Sequence, residues 1–408
     1  MKKLTLLLPA LATVFAQDAA SLLREASVRA AIEFAAQNED KVIAEQIEIC
    51  EVPAPPFHEK QRGELYKRKF EELGLRNVRI DAEGNVIGGR PGRNARPNLV
   101  FSAHLDTVFP PGTNVKVTRD GSWLKGPGIG DDCRGLAVVL GVIRAMNAAK
   151  VETPGTITFV GTVGEEGLGD LRGVKHLFGS SLKGQIDKFI SLDGIGFGVA
   201  NVGVGSFRYK VTFKGPGGHS YGAFGMANPI HALGRAIEKI SDFQVPSMPK
   251  TTFNVGRIGG GTSVNSIAFE AWMEVDMRSA DPASLREVDE KFKAAVQQAL
   301  DEENARWNQN GRIAVQIETV GVRPAGKTSE DSAIVRTAVA VSSALGLQVT
   351  LREGSTDSNV GMNLGVPSIT MNSGGAGRGA HSLGEMFDTT DSYKGTQRAL
   401  LAAIALAR

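Results

Sequence analysis

The 408-residue sequence reads as an α/β protein with a mixed sheet, interrupted by a smaller α+β unit. Three observations carry this reading. Apolar strand-like runs such as 156–163 alternate with helix-patterned runs such as 135–149, and polar residues collect where the strands stop. Between about 205 and 320 the pattern changes to the order βαββαβ, that of a split ferredoxin-like unit. Chemistry-bearing residues then resume at His381, so the smaller unit is an insertion in the larger one.

The elements follow in order. Lys2 and Lys3 precede an apolar run from Leu4 to Ala16, and Val14-Phe15-Ala16 offers a cleavage site ahead of Gln17. That run is shorter than the roughly 20 residues a membrane span requires. A buried N-terminal helix is the alternative. The reading adopted is a signal peptide over 1–16 and export to the periplasm or the exterior. Residues 19–48 carry apolar positions at helical spacing, and Pro53-Ala54-Pro55-Pro56 stops them. Residues 59–73 form a second helical run with Gly74 just past its end. A strand at 98–103 runs into His104, a helix is expected at 135–149, and strands at 156–163 and 189–192 deliver acids at their ends. Within the insertion, strands are expected at 207–213, 251–257, 266–278 and 312–319. Helices are expected at 228–240, with Pro229 in the first turn, and at 282–304. The domain plan is 1–16 leader, 17–204 and 321–408 catalytic domain, and 205–320 inserted domain.

Composition excludes some functions. A hydrophobic content of 42% and a charged content of 22% are those of a globular enzyme. The net charge of +2 with no long basic run argues against nucleic acid as the main partner, while a local basic patch stays open. The two cysteines, Cys50 and Cys133, lack metal-thiolate spacing. One disulfide is arithmetically available, but Cys133 beside Asp131-Asp132 reads as a buried thiol. His58, His176 and His231 lack chemical context, and the last two read as structural residues of apolar helices. The glycines 259–261 have no following Lys-Ser/Thr and are no phosphate loop.

The chemistry concentrates in five places. His104 and Asp106 stand two apart on an extended segment and share a side, so the Asp106 carboxylate can hold one ring nitrogen of His104 while the other binds a metal. Residues 126–132 form a glycine-rich turn ending in Asp131-Asp132. Helix capping accounts for one of these acids, which assigns Asp131 as a bridging ligand and Asp132 as a cap or supporting group. Glu165 and Glu166 sit between glycines after a buried strand. Adjacent side chains point oppositely, so Glu166 can bind metal while Glu165 moves protons; two solvated loop acids are the plainer alternative. Asp193 ends a strand, and His381 follows a glycine-rich loop. Together His104, Asp131, Glu166, Asp193 and His381 supply two imidazoles and three carboxylates, a set suited to two zinc-like ions. Manganese or cobalt are accepted substitutes for such carboxylate-rich sites. Three negative charges against four positive ones favour ionising a bridging water to hydroxide, and Glu165 would take its proton during amide hydrolysis.

The string Ser-Ala-His104-Leu-Asp106-Thr, then Gly-Pro-Gly-Ile-Gly-Asp131-Asp132, Gly-Glu165-Glu166-Gly and Gly217-Gly218-His219-Ser220 resembles the co-catalytic zinc metallopeptidase family of aminoacylase, glutamate carboxypeptidase and peptidase T. The likeness runs over nearly the whole chain after the leader. It implies a zinc-peptidase-like catalytic domain with an inserted lid that often mediates dimerisation, so a homodimer through the lid is expected. By motif it implies the roles given above for Asp106, Glu165 and the five ligands. It further implies that His219 stabilises the tetrahedral oxyanion, often from a partner subunit, and that Asn265 and Arg278 contact substrate. Without the resemblance His219 is a turn residue, and a surface ion pair for Arg278 is equally open. Cys133-Arg134-Gly135 replaces the Lys-Gly of many relatives, a change that peptidase T-like members tolerate. The expected function is a di-zinc exopeptidase of aminopeptidase, dipeptidase or carboxypeptidase type acting on short peptides. The alternatives are an N-acyl-amino-acid hydrolase with the same metal centre and a non-catalytic peptide-binding relative.

Overall fold

The structure, a computed structural model, describes residues 19–408. The leader expected over 1–16 lies outside the described residues. Two compact units emerge, one of residues up to Gly203 with Lys327–Arg408, the other Val204–Gly326.

The larger unit begins with helices α1 (Ala26–Gln37) and α2 (Glu39–Cys50). The single helix expected over 19–48 is therefore broken. Asn38 leaves helical dihedrals at φ −105° and ψ 14°, and its side-chain amide donates to the Phe34 carbonyl at 3.2 Å. Glu39 and Asp40 then occupy the first turn of α2, where acids favour a new helix start. Helix α3 (Lys60–Glu72) is followed by β1 (Arg76–Ile80), β2 (Val86–Arg90) and β3 (Asn98–His104). Then come α4 (Cys133–Ala148), β4 (Thr156–Thr162), β5 (Lys188–Leu192) and β6 (Val199–Gly203).

The smaller unit consists of β7 (Gly205–Lys214), α5 (Pro229–Ser241), β8 (Thr251–Gly260), β9 (Glu270–Ser279), α6 (Pro282–Arg306) and β10 (Ala314–Arg323). Its sheet runs β8-β9-β7-β10 with every neighbouring pair antiparallel, the split ferredoxin-like arrangement. Both helices have side-chain caps before proline: Asn228 accepts from the Ile230 amide at 2.9 Å and Asp281 from Ser284 at 2.7 Å. Their apolar faces join Val211, Phe213, Met273 and Met277 in a core of their own. The strand expected to end at 319 continues to Arg323, still paired with Ser206. His231, expected among apolar neighbours, stands exposed on α5 with its ring 3.7 Å from Glu303.

The chain returns to the larger unit with α7 (Ala333–Ala344), β11 (Leu351–Gly354), α8 (Ser358–Asn363), β12 (Ser368–Met371) and α9 (Tyr393–Leu406). The large sheet runs β1-β2-β4-β3-β5-β12-β6, with β11 and Gly326–Lys327 also joined to β6. Strands β4, β3, β5 and β12 are mutually parallel, so their carboxyl ends share one edge. Every residue of β3 is buried, as a central parallel strand covered on both faces requires. One face packs against α1, α4, α7 and α9, and the other against the helix Arg172–His176 and Phe178.

Gly155 sits where β4 begins, and its amide donates to the Ala407 carbonyl at 2.7 Å. A Cβ there would stand 2.3 Å from the Pro97 carbonyl oxygen and 2.8 Å from that of Ala407. Gly155→Ala is expected to destabilise by about 1–3 kcal/mol, since backbone must move. Gly234→Ala, with no atom within 4 Å of its Cβ, is expected not to lower the thermal midpoint. Equal midpoints for the two variants would contradict this packing.

Candidate metal centre

Strand ends bring the functional groups of the larger unit together. β3 stops at His104, and β4 leads through Gly164 and Gly167, at φ 66° and 50°, around Glu165 and Glu166. These left-handed conformations suit glycine and bend the chain immediately beyond the sheet. The Asp106 carboxylate accepts the amides of both Glu165 (3.0 Å) and Glu166 (2.8 Å), fixing the turn that carries them. Anchoring this turn is a role of Asp106 beyond the expected support of His104. The His104 Nδ1 lies 3.0 Å from the Asp106 backbone carbonyl and 3.7 Å from its carboxylate. A carbonyl only accepts, so Nδ1 carries a proton and Nε2, facing Asp131, is the nitrogen that a cation would take once its own proton is lost.

His104 Nε2 is 3.0 Å from one oxygen of Asp131, and the other Asp131 oxygen is 3.1 Å from His381 Nε2. The same His381 nitrogen is 3.1 Å from Glu166 Oε1. His104, Asp131 and Glu166 offer donor atoms within 4.8 Å of one another, as do His104, Asp132 and Asp193. The five expected ligands thus converge, with Asp131 spanning two imidazoles. This donor set, nitrogen and carboxylate oxygen at short mutual range, fits two divalent cations sharing a carboxylate. Asp132 caps α4 by accepting from the Gly135 amide at 3.2 Å and also accepts from the His104 amide at 3.0 Å. Glu165 is buried beside Glu166. Cys50 and Cys133 are buried free thiols in a small cluster with Ile129 and Phe387 below this loop.

Four supporting residues were not among the expected site residues. The buried Glu385 carboxylate accepts the amides of Gly128 (2.9 Å), Gly130 (2.7 Å) and Asp131 (3.0 Å). It lies on the loop that bears His381, so one carboxylate ties both metal-facing loops together. The clue available was physical: a buried glycine-rich turn needs acceptors for its amides. The sequence does not say which acid supplies them. Thr356 donates to Asp193 Oδ2 at 2.5 Å, and the neighbouring Asp357 accepts from Thr162 at 2.6 Å. Arg134 bonds the Ser392 and Ser373 carbonyls and pairs with Glu39 at 2.9 Å, holding the start of α4.

Two of the expected residues in the smaller unit form a local group. His219 and Ser266 pair across a two-residue bridge, and the Ser220 amide donates to the Asn265 carbonyl at 2.9 Å. His219 Nδ1 accepts the amides of Tyr221 and Gly222, each at 3.2 Å. The ring is therefore the Nε2–H tautomer, with its donor free of that loop. Arg278 does not join this group. It lies near the other end of β9 and donates to Asp276 at 2.7 Å.

Charge shapes the centre. The bonds from Asp131 and Glu166 raise His381 to about 10. Burial works to lower His104, but Asp106 and Asp131 hold it well above its ordinary value. Burial alone would raise Asp131; both imidazoles bring it down. Burial, then the Asp131 charge, raises Asp193, and burial raises Glu385 to about 7.

In protein stripped of metal, the raised His381 pairs stabilise fully below the ordinary histidine value of about 6.5. That contribution is lost as pH rises through about 10. A cation needs neutral imidazoles, so loading at pH 7 should release protons, and affinity should rise with pH. Calorimetry in two buffers of different ionisation enthalpy measures this; uptake with no proton release would contradict it. Glu385→Gln places an amide NH₂ against backbone N–H donors. It is expected to weaken metal binding about 10–100-fold, as loss of supporting partners does, by competition with a chelator.

A family model described as peptidase family M20/M25/M40 matches residues 100–405. The uncharacterized protein YqjE of Bacillus subtilis (strain 168) is 28% identical over 350 residues, 82% of this chain and 90% of that protein. A succinyl-diaminopimelate desuccinylase of Nitrosospira multiformis is 29% identical over 275 residues, 61% of this chain and 70% of its own length. The crystal structure of aminopeptidase PepT from Bacillus cereus superposes with a TM-score of 0.72 at 22% identity, covering 91% of this chain and 99% of that one. The shared fold agrees with the mixed α/β architecture described above. With three quarters of its length matched, the chain belongs to peptidase family M20/M25/M40.

Proposed function

We propose that the protein is a di-zinc exopeptidase that hydrolyses amide bonds of short peptides, in the manner of peptidase T, with manganese or cobalt as substitutes for zinc. The observation that carries this reading is the Asp131 carboxylate, one oxygen toward His104 and the other toward His381. Bound at this set, two divalent cations supply Lewis acidity, acidifying water and polarising a carbonyl.

The chain's own residues supply the rest. His104, Asp131, Glu166, Asp193 and His381 hold the cations. Asp106 fixes the Glu165-Glu166 turn through its two amide bonds. Glu165, buried beside Glu166, takes the proton of the attacking water and returns it to the leaving amine. His219, with its Nε2–H directed away from its own loop, donates to the developing oxyanion. Asn265, on the same loop system, contacts substrate, and Arg278 binds a substrate carboxylate by exchanging it for Asp276. Tyr221, Phe224 and Val264 are strongly exposed around His219 and Asn265, which favours a homodimer through this face. Export after removal of residues 1–16 completes the proposal.

A second reading has support from the desuccinylase among the relatives: hydrolysis of an N-acyl amino acid at the same centre. Products separate the two. A peptide library with free and blocked termini, digested by zinc-loaded protein and read by mass spectrometry, is expected to release free amino acids. Release of acetate or succinate from acyl amino acids, with peptides untouched, would favour the deacylase. Peptide binding with no cleavage under zinc, cobalt or manganese would leave the binding-protein alternative.

Glu165→Gln is expected to lower kcat by about 10²–10⁴ with metal content unchanged. His219→Ala should lower it by about 10²–10³, also without metal loss. Full turnover in either variant would remove that residue from the mechanism.

A further inference from the structure

The edge of the large sheet carries a concavity of about 370 Å³ where β1, β2 and the loop after α4 meet. Arg76, Arg90 and Arg93 line it, and none of the three forms an ion pair with any described residue. The only carboxylate in the lining is Glu152, which leaves an excess of two positive charges, three against one. Nearby Arg96, by contrast, is paired with Asp187. Like charges gathered around one hollow repel each other, and a bound anion relieves that repulsion.

The walls are held in place. Arg90 is half-buried, with its terminal nitrogens donating to Asn147 Oδ1 (2.6 Å) and the Val151 carbonyl (2.7 Å). Its guanidinium therefore keeps a fixed position facing the hollow. The loop bearing Arg93 is pinned by the Arg93 amide to the Thr153 carbonyl at 3.0 Å and the Asn94 amide to the Pro154 carbonyl at 2.8 Å. A Cβ at Gly92 would stand 2.0 Å from the Gly155 carbonyl, so glycine permits this close approach. Arg76 and Arg93 are exposed and complete the rim. Leu75 and Val151, both buried, form an apolar floor.

We infer that this hollow is a binding site for a phosphate monoester carrying a small apolar group. A phosphate monoester brings close to two negative charges and several acceptor oxygens, matching the surplus charge and the fork-shaped guanidinium donors. The volume lies within the range of small-ligand pockets, roughly 300–1,000 Å³. The site is separate from the residues assigned to metal and catalysis.

Phenyl phosphate, titrated calorimetrically into the zinc-loaded full chain, tests this. Saturable binding is expected, weakened at least about tenfold in Arg76→Ala/Arg93→Ala, with peptidase turnover unchanged. Arg257→Ala/Arg286→Ala, which removes the same charge elsewhere, should bind as the parent does. No saturable binding overturns the proposal. So does binding that survives in the Arg76/Arg93 variant, or an equal loss in the control pair. Vesicles containing phosphatidic acid carry the same monoester; retention on them without binding of phenyl phosphate also overturns it.

Discussion

Asp131 divides its two carboxylate oxygens between His104 and His381, side chains brought together from distant parts of the chain. Much else in the larger unit serves to keep that carboxylate where it is. Glu385 anchors the Asp131 amide and those of the glycines before it. Asp132 caps the helix that follows and accepts the His104 amide as well. Removing any one of these contacts would move a carboxylate that must face two ring nitrogens within about 3 Å. The site is thus a problem of backbone amides before it is one of metal ligands. Each bend that aims a ligand exposes N–H groups, and a buried carboxylate answers them.

The sheet explains why such a centre forms here. Four mutually parallel strands end at one edge, and the chain leaves each of them into a loop. His104 ends one strand, Glu165-Glu166 follow a second, Asp193 follows a third, and the fourth leads into the segment bearing His381. Converging strand ends concentrate side chains that the core could not accommodate. Gathering three carboxylates around two imidazoles is costly without positive charge. The imidazoles are held in their protonated forms by their acidic neighbours, the charge pattern that divalent cations would replace.

Much of this was legible from residues because the ligands sit in short, chemically unusual strings beside strongly patterned strands. The βαββαβ order of the smaller unit was equally readable, since each of its elements has its own period and its helices have capping residues before proline. Other features depended on distant pairing. Asp106 stands two residues from His104, and spacing alone suggests that its carboxylate serves the imidazole. The carboxylate also accepts the Glu165 and Glu166 amides, the latter a contact across 60 residues of chain. Glu385, Thr356 and Asp357 follow the same rule: their work lies in contacts that local sequence does not encode. Asn38 broke an apparently continuous helix through a local amide bond, and His231 proved exposed because its face of α5 turns from the core.

The most direct measurement is a crystal structure of the metal-loaded protein, with the ions located by anomalous scattering at the zinc edge. Two ions are expected per chain, roughly 3.5–4 Å apart, with Asp131 contributing one oxygen to each. A single ion, or a pair without Asp131 between them, would contradict the bridging arrangement from which the proposed chemistry follows.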